Sequence, residues 1–177
     1  MFASGTKASP SSSLLGVASA GAAWIFSRYV GSALWIPAAV TLLLAFVFTK
    51  LGGPKAYRGA IAITLGHLAW FVAAAIISGQ WAPVAIDIAL LLVSVSWLWA
   101  RPSNASVGCL AVVQALSLLL NIATIVGVNI GTDQHRALTV HCTWRILALG
   151  ALLVGVSARR RATQIAAPDD ASDQRGN

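Results

Sequence analysis

Long apolar runs separated by short polar breaks make up almost the whole chain. Six runs can be marked, over 12–28, 33–49, 59–79, 83–100, 105–130 and 137–158, divided by "RYVG", "KLGGPKAYR", "GQWAP", "RPSN" and "GTDQHR". Gly, Pro or charged residues stand at every break, where helices stop. Each run is about as long as a helix needs to cross a hydrocarbon core of roughly 30 Å, and a helix satisfies its own backbone polar groups there. The pattern predicts an all-α fold: a polytopic membrane bundle of six helices forming one domain over 1–158. The polar, mixed-charge tail over 159–177 is expected to be disordered.

The first run, "SSSLLGVASAGAAWIFS", is rich in Ser, Gly and Ala. Its small residues Ser12, Gly16 and Ala20 recur every four positions, as in a helix packed closely on a neighbour. The alternative is a signal peptide cut after "ASA" at Ala18–Ala20, which leaves five spans.

Composition sharpens the class. Of 177 residues 58% are hydrophobic and 10% charged, and the mean hydropathy is +0.79, against roughly 25% charged in an ordinary soluble domain. The net charge of +7 does not point to nucleic acid, because the basic residues cluster at the ends of apolar runs. With the N-terminus inside, Lys7, Lys50, Lys55, Arg58, Arg101, Arg159, Arg160, Arg161 and Arg175 face the cytoplasm and only Arg28 and Arg136 face out. The tryptophans agree: Trp24, Trp35 and Trp81 fall at the outer interface, Trp97 and Trp99 at the inner one. Both termini are thus expected in the cytoplasm of a bacterial inner membrane. The lipid bilayer is the expected partner, together with a second copy or another membrane protein.

Ionisable residues inside the spans carry the functional information, since they are costly in hydrocarbon and turn toward the bundle interior. Asp87 lies on the fourth run and His141 and Arg145 on the sixth, where a spacing of four puts the last two on one helix face. Counted from the ends of the runs, Asp87 and His141 lie about 6 Å below the outer surface and Arg145 about one turn deeper. An Asp87–Arg145 ion pair is therefore expected. Gln114, Ser117, Asn121 and Thr124 share one face of the fifth run. By the same counting Asn121 is level with Arg145, whereas Gln114 and His67 are level with each other nearer the cytoplasm. The result is a polar ladder across the bilayer: Asp87 and His141, then Arg145 and Asn121, then His67 and Gln114.

An internal echo accompanies these residues. "WIFSR" at 24–28 is repeated as "WLWAR" at 97–101, and "HLAW" at 67–70 as "HCTW" at 141–144, at offsets of 73 and 74. Three spans per repeat would make the halves inverted, as in several transporter folds.

Other chemistries fit less well. A bis-histidine haem needs His67 and His141 at one depth, and the counting separates them by about 10 Å. Cys109 and Cys142 stand in no metal-ligand spacing and read as small apolar fillers, so no cofactor is expected. An intramembrane hydrolase using Ser106 and His141 would need a tight glycine turn to expose the serine, and "NASVGC" carries asparagine there. The expected function is a small transporter or permease-like protein for protons or a small solute. The alternative is a non-catalytic membrane subunit or scaffold in which the same residues only hold helices together.

Overall fold

The computed structural model describes residues 35–166 except Gly52, and the first run and the chain beyond 166 lie outside the described residues. Five α-helices follow one another: α1 Trp35–Lys50, α2 Arg58–Ser78, α3 Ala82–Ala100, α4 Asn104–Gly127 and α5 Thr132–Ala166. A short 3₁₀ turn, Lys55–Tyr57, leads into α2. Helices α2, α3, α4 and α5 close a ring in that order, each packing on the next and α5 returning to α2. Helix α1 leans on α2 from outside the ring, and its Phe48 meets Trp99 of α3 with ring centroids 4.9 Å apart.

Local chemistry sets the boundaries. Gly79 ends α2 at φ 68°, a left-handed conformation that costs glycine nothing, and a proline opens α3 in its first turn. Helix α4 begins with a capping box: the Ser103 hydroxyl accepts from the Ser106 amide at 3.1 Å, and the Ser103 amide donates to the Ser106 hydroxyl at 2.9 Å. One glycine is required by packing. A Cβ on Gly155 of α5 would stand 2.6 Å from the Ala56 carbonyl oxygen and 2.6 Å from the Tyr57 ring, so its absence lets α5 lie directly on the 3₁₀ turn.

Three of the expected six runs coincide with helices long and apolar enough to cross a membrane, over Lys55–Ile77, Asn104–Gly127 and Gln134–Ile165. The apolar parts of α1 and α3, Ala39–Lys50 and Val84–Ala100, are shorter. The last helix also corrects the sequence reading. It continues through Ala166 where disorder was expected from 159, because "ARRRATQIA" contains good helix formers and no breaker before Pro168. At 35 residues α5 is about 52 Å long, well beyond a hydrocarbon core.

The ring has the inverse of a water-soluble interior. Its outer surface presents large apolar side chains, among them Ile77, Val93, Leu120, Val126 and Leu153. Its centre holds Ile61, Leu91, Leu98, Leu110 and Trp144, and also Thr64, His67, Gln114, Ser117 and Arg145.

Candidate functional site

Five polar side chains, Thr64, Asp87, Gln114, Ser117 and Arg145, form one hydrogen-bonded network to which all four ring helices contribute. Arg145, on α5, is 0% exposed. Its Nη2 donates to Asp87 Oδ2 on α3 at 3.0 Å and its Nη1 to Gln114 Oε1 on α4 at 3.1 Å. The second carboxylate oxygen of Asp87 accepts from the Ser117 hydroxyl at 2.9 Å, one turn along α4 from Gln114. Gln114 passes the chain onward, its Nε2 donating to the Thr64 hydroxyl on α2 at 3.3 Å, which in turn donates to the Ala60 carbonyl at 2.8 Å. A buried arginine thus has a charged partner on one side and an amide on the other, the arrangement that makes such a cation tolerable away from water.

A second group touches the first. His67 Nε2 on α2 and His141 Nδ1 on α5 are 2.7 Å apart, one ring donating to the other. A single proton lies between them, so the two rings cannot both be imidazolium in this arrangement. Phe71 stacks on both, with centroids 4.7 Å from His67 and 4.6 Å from His141, and the Arg145 guanidinium carbon sits 5.8 Å from the centre of the same ring. Trp144, beside Arg145, donates its Nε1–H to the Ile63 carbonyl at 3.1 Å and fastens α5 to α2 one turn from His67. Two buried nitrogens, His67 Nδ1 and Arg145 Nε, make no hydrogen bond among the described residues.

The structure brings together five of the six residues singled out by the sequence: Asp87, Arg145, Gln114, His67 and His141. Asn121 is left half-buried farther along α4, with no side-chain hydrogen bond among the described residues, and Arg145 takes Gln114 instead. The ladder of separate levels is therefore replaced by one cluster. Helix ends explain the difference. Helix α5 starts at Thr132, not near 137, so His141 lies about 14 Å from its start, and His67 lies about 16 Å from the end of α2 that faces the same way. Arg145 of α5 and Gln114 of α4 each lie about 20 Å from that same end, and Asn121 only about 9 Å. The arginine then spans the remaining distance to Asp87 because helical side chains lean toward the N-terminus of their own helix.

Haem is thus not disfavoured by depth, as the counting suggested. The rings are in direct contact, and a metal bound axially by both would need about 2 Å from each nitrogen. Sequence reasoning missed Thr64, Phe71 and Trp144, although "HLAW" and "HCTW" carried a signal: the two echoed histidines, 74 residues apart, are the ones that meet. Ser106 is buried within the capping box of α4, donating to the Arg101 carbonyl at 2.8 Å, while His141 is engaged by His67. Neither is placed to activate the other.

No known protein family, curated protein or solved structure matches this chain.

Proposed function

We propose that the protein is a small multi-pass membrane protein, permease-like, that moves protons or a small solute through the network of Asp87, Arg145, Gln114, His67 and His141. The bundle is read as six spans with both termini in the cytoplasm of a bacterial inner membrane. The basic residues crowded at one end of the helices and the apolar outer surface of the ring support this reading. The observation that carries the function is a histidine pair and an ion pair brought to the same ring of Phe71, four ionisable side chains from three helices inside an apolar bundle. Helices in lipid can be held together by small residues and hydroxyls, so ionisable groups are retained there chiefly for ion or proton traffic. Protons are favoured as cargo because hydrogen bonds run from Ser117 through Asp87, Arg145 and Gln114 to Thr64 and join His67 to His141, and the grooves described near Arg160 and near Trp99 are lined by none of these residues.

The second reading, a scaffold, is favoured by the way Arg145 is held from both sides, as a clamp fixing helix register would be. A flux assay separates the two. The full chain in lipid vesicles with an entrapped pH indicator is compared with Asp87→Asn, Arg145→Gln and the double variant. Transport predicts proton flux above empty vesicles in the wild type and none in the variants, the double variant included even where its stability recovers. A clamp predicts no flux above empty vesicles from any of them. Orientation has its own check: a reporter fused after Ile130 should read outside, and one after Arg161 inside.

A further inference from the structure

A groove of about 680 Å³ opens between the beginning of α4 and the end of α5, away from the polar network. Its floor is apolar, made by Val107 and Gly108 of α4, Val156 of α5 and the ring of Tyr57. Its rim is basic and polar, made by Arg159, Arg160 and Thr163. On a helix Val156, Arg159, Arg160 and Thr163 share one face, so floor and rim follow each other along a single stripe of α5. The change occurs where the apolar part of α5 gives way to "SARRR". Arg159 is held over the groove by its bond to the Pro102 carbonyl at 3.2 Å, just before α4 starts. Arg160 makes no ion pair among the described residues. The same end of the helices carries Lys50, Lys55, Arg58, Arg101 and Arg161, whereas the described acids, Asp87 and Asp133, belong to the starts of α3 and α5 at the opposite end.

We propose that this groove binds one anionic phospholipid, its phosphodiester on Arg159 and Arg160 and an acyl chain along Val107, Gly108 and Val156. Charge complementarity selects the headgroup: two guanidinium groups at the edge of an apolar span match a lipid phosphate that carries net charge and discriminate against a zwitterion. The floor selects a lipid over a free anion, since inorganic phosphate has nothing to place against valine and an unsubstituted Gly108. It also selects a lipid over the acidic tail that follows α5, whose "DDASDQRGN" has no apolar side chain large enough to fill it. The proposal stands independently of any transport by the central network.

The test uses the full chain in mild detergent, titrated with phosphatidylglycerol, phosphatidylcholine or inorganic phosphate, with bound molecules counted by native mass spectrometry. One phosphatidylglycerol should bind at least tenfold more tightly than phosphatidylcholine. Removing both charges in Arg159→Gln/Arg160→Gln should weaken it roughly thirtyfold. Gly108→Leu, which fills the floor and leaves every charge in place, should weaken it about tenfold. Both variants should keep the wild-type melting temperature. Equal binding of the two lipids, undiminished binding to the double arginine variant, or displacement of lipid by an equal concentration of inorganic phosphate would each overturn the proposal. A preference for phosphatidylglycerol that emerges only after Asp169, Asp170 and Asp173 are neutralised would assign the groove to the tail instead.

Discussion

Arg145 and Arg159 stand on the same helix, fourteen residues apart, and live in opposite circumstances. Arg145 is wholly buried and held by Asp87 and Gln114, two side chains from two other helices. Arg159 is exposed and makes one bond, to a backbone carbonyl. The contrast teaches that the cost of losing a partner is set by the environment left behind and not by the residue type. A charge stranded in the bundle centre has no water to turn to, whereas one at the helix end does. It also separates two uses of arginine in one small protein. Where the side chain is enclosed, its charge must be answered from within the fold. Where it is open, water answers its charge.

Substitutions can test how deep this difference runs. The largest effect is expected from Asp87→Asn, which keeps the shape but leaves Arg145 buried without its counter-charge. A loss of about 3 kcal/mol should appear as a fall in detergent melting temperature, and adding Arg145→Gln should recover much of it. If Asp87→Asn proved neutral, the ion pair would not be what makes Arg145 tolerable, and the contrast would fail. Gly155→Ala should come next. It lies between the two arginines, and a methyl group directed at the Ala56 carbonyl forces α5 off the 3₁₀ turn at a cost of about 2 kcal/mol, read by the same melt.

Gln114→Leu removes the amide that ties Arg145 to Thr64 and should cost about 1.5 kcal/mol, a value that sharpens how much of the cation's tolerance comes from a neutral partner. Trp144→Phe deletes a single neutral hydrogen bond to Ile63 while keeping most of the ring. About 0.6 kcal/mol is expected, near the average measured for interhelical bonds in membranes. Arg159→Gln should change stability least, by under about 0.5 kcal/mol, because water replaces the lost bond. A large loss there would mean that the helix end is anchored through Pro102 and is not an open surface.

Much of the site was legible in the sequence because polar residues in apolar runs are conspicuous and helical spacing is regular. The pairing of Asp87 with Arg145 follows from charge and counted depth, since each is the only group of its sign well inside the apolar runs that can answer the other. The grouping of the remaining residues was not legible, because the ends of apolar runs are not the ends of helices: α5 extends beyond its run at both ends, by five residues before Ala137 and eight after Ala158. A shift of five residues moves a side chain about 7.5 Å along the axis, enough to convert a ladder into a cluster. Hydropathy marks where a helix meets hydrocarbon, and a helix made of Ala, Arg, Thr and Gln continues past that boundary without a signal in the apolar pattern.

What the sequence by itself determined is the helical class, the positions of the breaks, the segregation of basic residues to one end and the identity of the ionisable residues within the apolar runs. These are one-dimensional properties, set by backbone hydrogen bonding within each helix and by the cost of burying charge. The tertiary structure alone decided that His67 touches His141, that Gln114 and not Asn121 answers Arg145, that Phe71 separates neither pair but stacks on both histidines, and that α4 and α5 leave a groove at the basic end. Each of these depends on which faces of different helices meet and at what relative height, and that is fixed only when several helices pack at once, with Gly155 letting α5 settle on the turn before α2.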